Sequence, residues 1–543
     1  MCRPMRIYDV INECCHRFSR SVHQSPAPAL EESDRFIQYT SFRFRNMVVL
    51  INNGQQLETG SSLAESAYSI QESDSTNGGL RGLIDDVSTS KSVLTQLRED
   101  IIAPKNKSIS SPFFSNVPMI YCDHTASNRA LNTIETFIRD TVLPLYANTH
   151  TTTSHTGSQS TAWMAEARQI VAEACNARIT GKASQDVVLF TGSGATGAIE
   201  LALELSVSTW RSKGTSCNNR VMVFVGPMEH HSNMLPYREL GKKYNDLDVT
   251  VINVPPKSPR NGAVDMDRLE LMLQSVAGET NAGTLMIGCF SAASNVTGLL
   301  SDVPLISQIL HKYGALSFID YATASPYIEI DVNFSPDARI DAAFISTHKI
   351  VGGVNTPGIL VIKKSLINRT IAPPTRVGGG TVFYTTESDT FYTTNWVDRN
   401  EGGTPNVVGS IRCGLTFLNR KKLLRLNYVE EYKEMCSELG NPFRSDSVGE
   451  TLSIRDFECK TRDLAINFLK KKASNVIILG DNEEERKEDH LPIISFLVRC
   501  GDRFLHYNLV CAILNDVFGV QSRGGEYFHT FVSKFHTYEV THI

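Results

Sequence analysis

"DAAFISTHKIVGG", residues 341–353, joins an apolar run to a polar, glycine-ended turn. A short apolar run, Ala342 to Ile345, ends in Ser346, Thr347, His348 and Lys349 and then opens into Gly352 and Gly353. An apolar run of this length, bounded by polar residues and glycine, reads as a buried strand. Polar groups just past a strand are where open α/β sheets build their sites. Taken alone, Lys349 reads as a solvated strand-end charge. If its amine is kept available without a proton, it can instead form a Schiff base with a carbonyl compound. The glycines after it permit close backbone packing.

Working outward, the same pattern repeats from residue 119. Helical segments such as "LNTIETFIRDTVLPLY" and "WMAEARQIVAEACNA" alternate with short β-branched runs: "DVVLF", "RVMVFVG", "VTVINV", "GTLMIGCF", "ALSFID", "AAFIS" and "GILVIKK". This alternation predicts an α/β fold with a mostly parallel central sheet. Residues 119–405 are expected to form a large domain. Residues 406–543 are expected to form a smaller C-terminal α/β domain with helices in "IRCGLTFLNRKKLLRLNYVEEYKEMCSELG" and "NLVCAILNDVFGV" and strands in "NVIILGD" and "LPIISFLVR". The charged run "NEEERKEDH" reads as a solvated connection. Residues 1–80 show little periodicity, and "QESDSTNGG" reads as a flexible approach. Residues 81–118 are expected to add a helix and a linker to the small domain, with "APKNKSISSPFFSNVP" as a loop.

The bulk numbers exclude several classes. The chain has 543 residues, 41% of them hydrophobic, which is enough for a large core. A net charge of -5, with no basic stripe carrying interleaved aromatics, gives no support for a nucleic-acid module. No segment approaches the roughly 18 uninterrupted apolar residues of a membrane helix. The 12 cysteines are scattered without a CxxC pair, so no metal site is expected and a reducing compartment fits best. The opening "MCRPMRIYDVINECCHRFSRSVHQS" lacks an apolar secretory core, and Asp9 and Glu13 weaken a mitochondrial reading. Cytoplasm is the default expectation, with mitochondrial import left open.

Three further elements carry polar groups at or just after the ends of predicted strands. "LFTGSGATGAIELALEL" is a strand, a glycine-rich turn and a helix; such a turn presents backbone amides and a helix N-terminus to phosphate, and Thr196 adds a hydroxyl. Ser346 and His348 can complete that shell from the lysine strand. His230 in "GPMEHHSNMLPY" can lay a flat ring over a cofactor face and move a proton, although a lone strand-end histidine is more often structural. Asp320 ends "ALSFID"; it reads as a turn cap, or as the carboxylate that keeps a pyridine nitrogen protonated.

In this order, phosphate turn, ring cover, asparagine, ring acid and amine, the sequence resembles the class V aminotransferase group of fold-type I pyridoxal phosphate enzymes, whose best-known members are cysteine desulfurases. The likeness runs from about residue 119 to 525 and includes "YCDHTASNRAL" and "YANTHTTTSHTGSQSTAWMAEAR". It implies pyridoxal 5'-phosphate joined to Lys349, with Asp320 on the ring nitrogen and His230 stacked on the ring. It places Asn295 of "SNVTG" near the cofactor hydroxyl and Ala195, Thr196, Ser346 and His348 on the phosphate. "RVGGGTV" and "DRNEGGTPNVVG" resemble loops that approach the cofactor across a homodimer interface, with Thr404 reaching the phosphate of the partner subunit. Arg523 of "NDVFGVQSRGG" matches the arginine that binds the carboxylate of an amino-acid substrate, cysteine in the desulfurases; a guanidinium fork suits that group.

Two departures bear on the reaction. Thr323 stands where many relatives carry a glutamine that bonds the cofactor hydroxyl. In "SRGGEYFHTF", Glu526 and Phe528 stand at the positions where relatives carry a cysteine that accepts sulfur, and a glutamate cannot carry a persulfide. The sequence also ends soon after this point, where relatives continue. The desulfurase reading therefore stands beside a lyase, racemase or aminotransferase of the same group, and beside a non-catalytic scaffold that keeps the fold.

Overall fold

The computed structural model describes residues 80–83, 93–104, 108–149, 151, 153–214, 219–257, 262–279, 283–438, 449–480 and 490–525. The expectations for residues 1–79, for most of "NEEERKEDH" and for Glu526 and Phe528 lie outside them.

The short apolar runs form one seven-stranded sheet. Its strands are β1 (Asp186–Thr191), β2 (Arg220–Val225), β3 (Asp248–Asn253), β4 (Leu285–Ser291), β5 (Leu316–Asp320), β6 (Ala342–Ser346) and β7 (Gly358–Lys363). The order across the sheet is β1-β7-β6-β5-β4-β2-β3. β7 runs antiparallel to both neighbours, and every other pair is parallel. The two faces are both buried, because successive side chains point to opposite sides of a strand. Val188, Phe190, Ala343 and Ile345 pack in one core. Val187, Leu189, Ala342 and Phe344 pack in the other. Burial on both sides explains why these strands read as continuous apolar runs.

Helices cover the sheet, and three of them begin at side-chain caps. α1 (His155–Ala174) starts at Ser154, whose Oγ accepts from the Gly157 amide. α2 (Gly194–Ser212) follows the glycine turn after β1. α3 (Met266–Glu279) precedes β4, and α4 (Val303–Lys312) starts at Asp302, which accepts from the Leu305 amide. α4 buries Val303, Ile306 and Leu310, the spacing of one helical face. α5 (Val407–Arg425) is capped by Asn406 and packs against α1 so closely that a Cβ on Gly414 would sit 2.8 Å from Ala167 Cα.

Beyond it lie α6 (Val429–Glu438), α7 (Ile454–Lys472), a small antiparallel sheet containing Val476–Ile478 and Phe496–Cys500, and α8 (Tyr507–Phe518). The stretch expected as the loop "APKNKSISSPFFSNVP" contains a two-stranded pairing, Ser108–Ile109 with Val117–Pro118. Its register depends on the antiparallel partner, which a local pattern does not reveal. Among the described residues, no helix is long and apolar enough to cross a membrane, and no group of His, Cys, Asp and Glu is placed to hold a metal ion.

Candidate active site

β6 delivers Ser346 at its last position, and a single 3-10 turn, Thr347–Lys349, follows. The turn is tight: a Cβ on Gly353 would lie 2.1 Å from the Thr347 carbonyl oxygen. The Lys349 amine is largely removed from water. Burial lowers its affinity for a proton, Asp320 and Asp123 work against that, and Arg523 reinforces it. Asp320 ends the neighbouring strand β5 and is 4% exposed. Its Oδ1 accepts from the Ala322 amide at 2.7 Å. Burial raises the Asp320 pKa, while that amide and Lys349 oppose the rise.

The sheet register sets the phosphate-sized cradle. Gly358, the first residue of β7, pairs with Ser346 on one side and Thr191 on the other. This brings the turn after β1 beside the turn after β6. The Ala195 amide donates to Ser346 Oγ at 3.0 Å. Gly194 takes φ +58°, and a Cβ there would be 3.3 Å from Ser346 Oγ and 3.9 Å from His348 Nε2. One small space is therefore faced by a helix N-terminus, a hydroxyl and an imidazole. That donor set fits a phosphate ester. Thr196 Oγ1 donates to Ser232 Oγ at 2.8 Å, which links the cradle to the loop after β2.

That loop carries His230. Its Nδ1 accepts from the Ser232 amide at 3.1 Å, so the neutral ring carries its hydrogen on Nε2. Burial, then Lys349 and His231, lower the His230 pKa to about 4. The preceding residue, Glu229, received no role from the sequence, yet it forms the densest polar contact here. Glu229 Oε1 accepts from the Ser291 amide at 2.8 Å; Oε2 accepts from Ser291 Oγ at 2.6 Å and from Asn233 Nδ2 at 2.5 Å. Burial pushes its carboxyl up to about 7; these bonds oppose the rise and nearby Asp320 adds to it.

Asn295 is half-buried in the turn after β4, and Thr323 is buried just after Asp320. The segment "DHTASNR" closes the lysine side: the Asn128 amide donates to the His348 carbonyl at 2.8 Å, and Asn128 Nδ2 donates to the Lys349 carbonyl at 3.2 Å. Arg523 reaches the same region and pairs with Asp123. Thr404 is exposed and is not hydrogen-bonded to the cradle within this chain. Its loop is anchored by Glu401, which pairs with Arg168. A separate concavity of about 690 Å³, lined by Arg369, Trp396 and Phe391 among others, is bordered by Arg168 but by none of the lysine, Asp320, His230 or cradle groups.

Ala195, His230, Asn295 and Lys349 follow sheet strands and Asp320 ends one, all at the carboxyl ends of the strands that run in a common direction. Sequence reading missed Asp123 and Glu229. Both stood in quoted motifs, but their partners are distant in sequence.

Comparison with known proteins agrees with this architecture. A probable cysteine desulfurase of Halalkalibacterium halodurans is 25% identical over 340 residues, covering 62% of this chain and 74% of that protein. A probable cysteine desulfurase of Pyrococcus abyssi is 26% identical over 304 residues, covering 56% and 67%. The solved apo structure of a cysteine desulfurase from Thermococcus onnurineus NA1 superposes with a TM-score of 0.60 at 20% identity, over 83% of this chain and 92% of that one. The fold is that of fold-type I pyridoxal phosphate enzymes. The sequence model of the aminotransferase class-V family matches residues 120–439, more than half of the chain, and the chain belongs to that family of pyridoxal phosphate-dependent enzymes.

Proposed function

We propose that this enzyme binds pyridoxal 5'-phosphate through Lys349 and acts at the α-carbon of an amino acid, with cysteine as the leading substrate. The observation that carries the reading is the meeting of Lys349, Asp320 and the Ala195–Ser346 cradle at one sheet edge. When bound, the cofactor supplies an electron sink for the pair released at the substrate α-carbon.

The protein's part follows from its own groups. The Ala195 amide, Ser346 and His348 hold the phosphate and fix the ring plane, with Thr196 at the cradle's flank. Asp320 is buried, so it remains ionised only against a cation; a protonated ring nitrogen is such a partner. His230 is neutral at pH 7 and offers a flat ring with hydrogen on Nε2. Lys349, whose proton affinity burial lowers, is the group best placed to take a proton from the α-carbon. Asn295 and Thr323 would hold the cofactor hydroxyl, and Arg523 would take the substrate carboxylate. Thr404 serves the second site of a homodimer.

A second reading is favoured by one observation: "SRGGEYF" has Glu526 where a sulfur-accepting cysteine is expected. Without that thiol, the same site supports β-elimination, racemisation or transamination. The test is to incubate the cofactor-loaded protein with L-cysteine, with and without a reducing thiol, and to assay alanine, sulfide and keto acid. Alanine with sulfide only when thiol is present supports desulfuration. Keto acid without alanine supports the second reading. No turnover of cysteine or of any proteinogenic amino acid overturns both.

A further inference from the structure

Glu229 stands directly before His230, in the loop that follows β2, and its carboxyl crosses to the end of β4. Ser291, the last residue of β4, meets it with two donors: the amide lies 2.8 Å from Oε1, and Oγ lies 2.6 Å from Oε2. Ser291 is also the ladder partner of Asp320 on β5, and the next amide, that of Ala292, donates to the Asp320 carbonyl at 2.9 Å. Residues paired across a parallel ladder project to the same face of the sheet, so the Ser291 hydroxyl and the Asp320 carboxylate share a side. The two carboxyls are close enough that Asp320 strengthens the hold of Glu229 on a proton.

The other end of this contact is the histidine loop. Asn233 Nδ2 donates to Glu229 Oε2 at 2.5 Å, and the Asn233 amide donates to the His230 carbonyl at 2.8 Å. The Ser232 amide holds His230 Nδ1, so the backbone and the ring of His230 are both fixed within the same turn. The carboxyl also has a seat shaped for it. A Cβ on Gly226 would lie 2.3 Å from Glu229 Oε1 and 3.0 Å from the Phe290 ring. Gly226 is joined to β4 as well, its amide donating to the Cys289 carbonyl at 3.1 Å. The missing side chain at Gly226 leaves the carboxyl its path to Ser291.

We propose that Glu229 is a positioning residue for the cofactor: it clamps the His230 loop to the strand pair that carries Asp320 and so fixes the offset between ring cover and ring acid. The inference rests on the reading of His230 as the stacked ring and of Asp320 as the partner of the pyridine nitrogen. A flat ring held at one face and at one nitrogen keeps a single plane only while the two holds keep a constant offset. A displacement of about 1 Å at such a site is enough to cost about 100-fold in rate. Three donors on one carboxyl, from two elements, set that offset in more than one direction.

The test loads the full-length protein with pyridoxal 5'-phosphate and reads two quantities that need no turnover: the dissociation constant of the cofactor, and the visible circular dichroism per bound cofactor, which reports how the ring is set. Glu229→Ala should weaken cofactor binding by about tenfold and reduce the dichroism. Glu229→Gln should restore both, because its carbonyl can accept from the Ser291 amide and its amide can donate to Ser291 Oγ and to Asn233 Oδ1, which is buried without a hydrogen-bond partner. Wild-type affinity and dichroism in Glu229→Ala would overturn the proposal, as would a loss in Glu229→Gln equal to that in Glu229→Ala. If Glu229→Ala does not fold, Ser291→Ala decides: it removes only the hydroxyl contact and should give a smaller loss in the same direction, and wild-type values would overturn the proposal. His230→Ala and Asp320→Asn separate the two readings. If they lower affinity and dichroism while Glu229→Ala does not, only the clamp fails. If they leave both unchanged, the assignment of His230 and Asp320 fails.

Discussion

The Ala195 amide meets Ser346 Oγ at 3.0 Å across 151 residues of sequence. The contact exists because Gly358 sits between the two turns in the sheet and has no side chain. A Cβ there would come within 1.9 Å of the Gly194 carbonyl oxygen. Gly358→Ala must therefore push one turn away from the other. We expect a loss of about 1–3 kcal/mol in denaturant unfolding, in the range of an overpacked core, and weaker cofactor retention on dialysis. Wild-type affinity for pyridoxal phosphate in this variant would contradict the cradle described above.

Lys349 links the site to pH. Burial lowers its pKa in the folded protein, so the unfolded chain binds the proton more tightly. The cofactor-free protein should then gain stability as pH rises from the lowered value toward the ordinary lysine pKa of 10.5. Lys349→Met, which keeps the volume and removes the charge, should flatten this part of the stability profile. The same variant should lose the borohydride-reducible link to the cofactor and lower turnover by at least about 100-fold.

Glu229 and His230 should titrate with opposite effects. The Glu229 pKa is raised to about 7, so its contribution is fully present below the unfolded value of 4.5 and is lost as pH rises through 7. The His230 pKa is lowered to about 4 from 6.5, so its contribution is present above 6.5 and is lost as pH falls toward 4. Glu229→Gln should remove the first slope and leave stability rising with pH between about 4 and 6.5, the His230 range. The amide is accommodated if Asn233 flips, because Asn233 Oδ1 is buried with no hydrogen-bond partner in the wild type. Thermal unfolding across pH 4–8 measures this; an unchanged profile would mean that Glu229 binds its proton equally well in the folded and unfolded chain, against the rise given by burial.

Arg168 and Glu401 test the anchor of the Thr404 loop. Their bonds are 2.7 and 3.0 Å, and the side chains are 12% and 9% exposed. Glu401 also accepts from the Phe190 amide at 2.6 Å, at the next-to-last residue of β1 before the cradle. Glu401→Ala leaves a buried guanidinium and should cost about 3–5 kcal/mol. Arg168→Met combined with Glu401→Met should recover most of that loss in chemical denaturation. A double variant no more stable than Glu401→Ala would place the cost in the lost Phe190 contact instead.

Local sequence is enough to place the strands and what stands at their ends. Runs such as "AAFIS" and "GILVIKK" are apolar on both faces because both faces are covered, and each is long enough to be recognised alone. The motif residues Ala195, His230, Asn295, Asp320 and Lys349 follow directly after such runs, so their convergence was legible once the sheet was read as mostly parallel. Tertiary structure alone decided which strand lies beside which, and with it every long-range contact. The reversed direction of β7 placed Gly358 against Gly194, the β4 edge supplied Ser291 to Glu229, and the pairing of Val520–Gln521 with Ile120–Tyr121 set Arg523 against Asp123. Periodicity reports the face a residue presents to its own element's surroundings. The partner on that face depends on chain crossovers and register, which are settled only when distant segments pack.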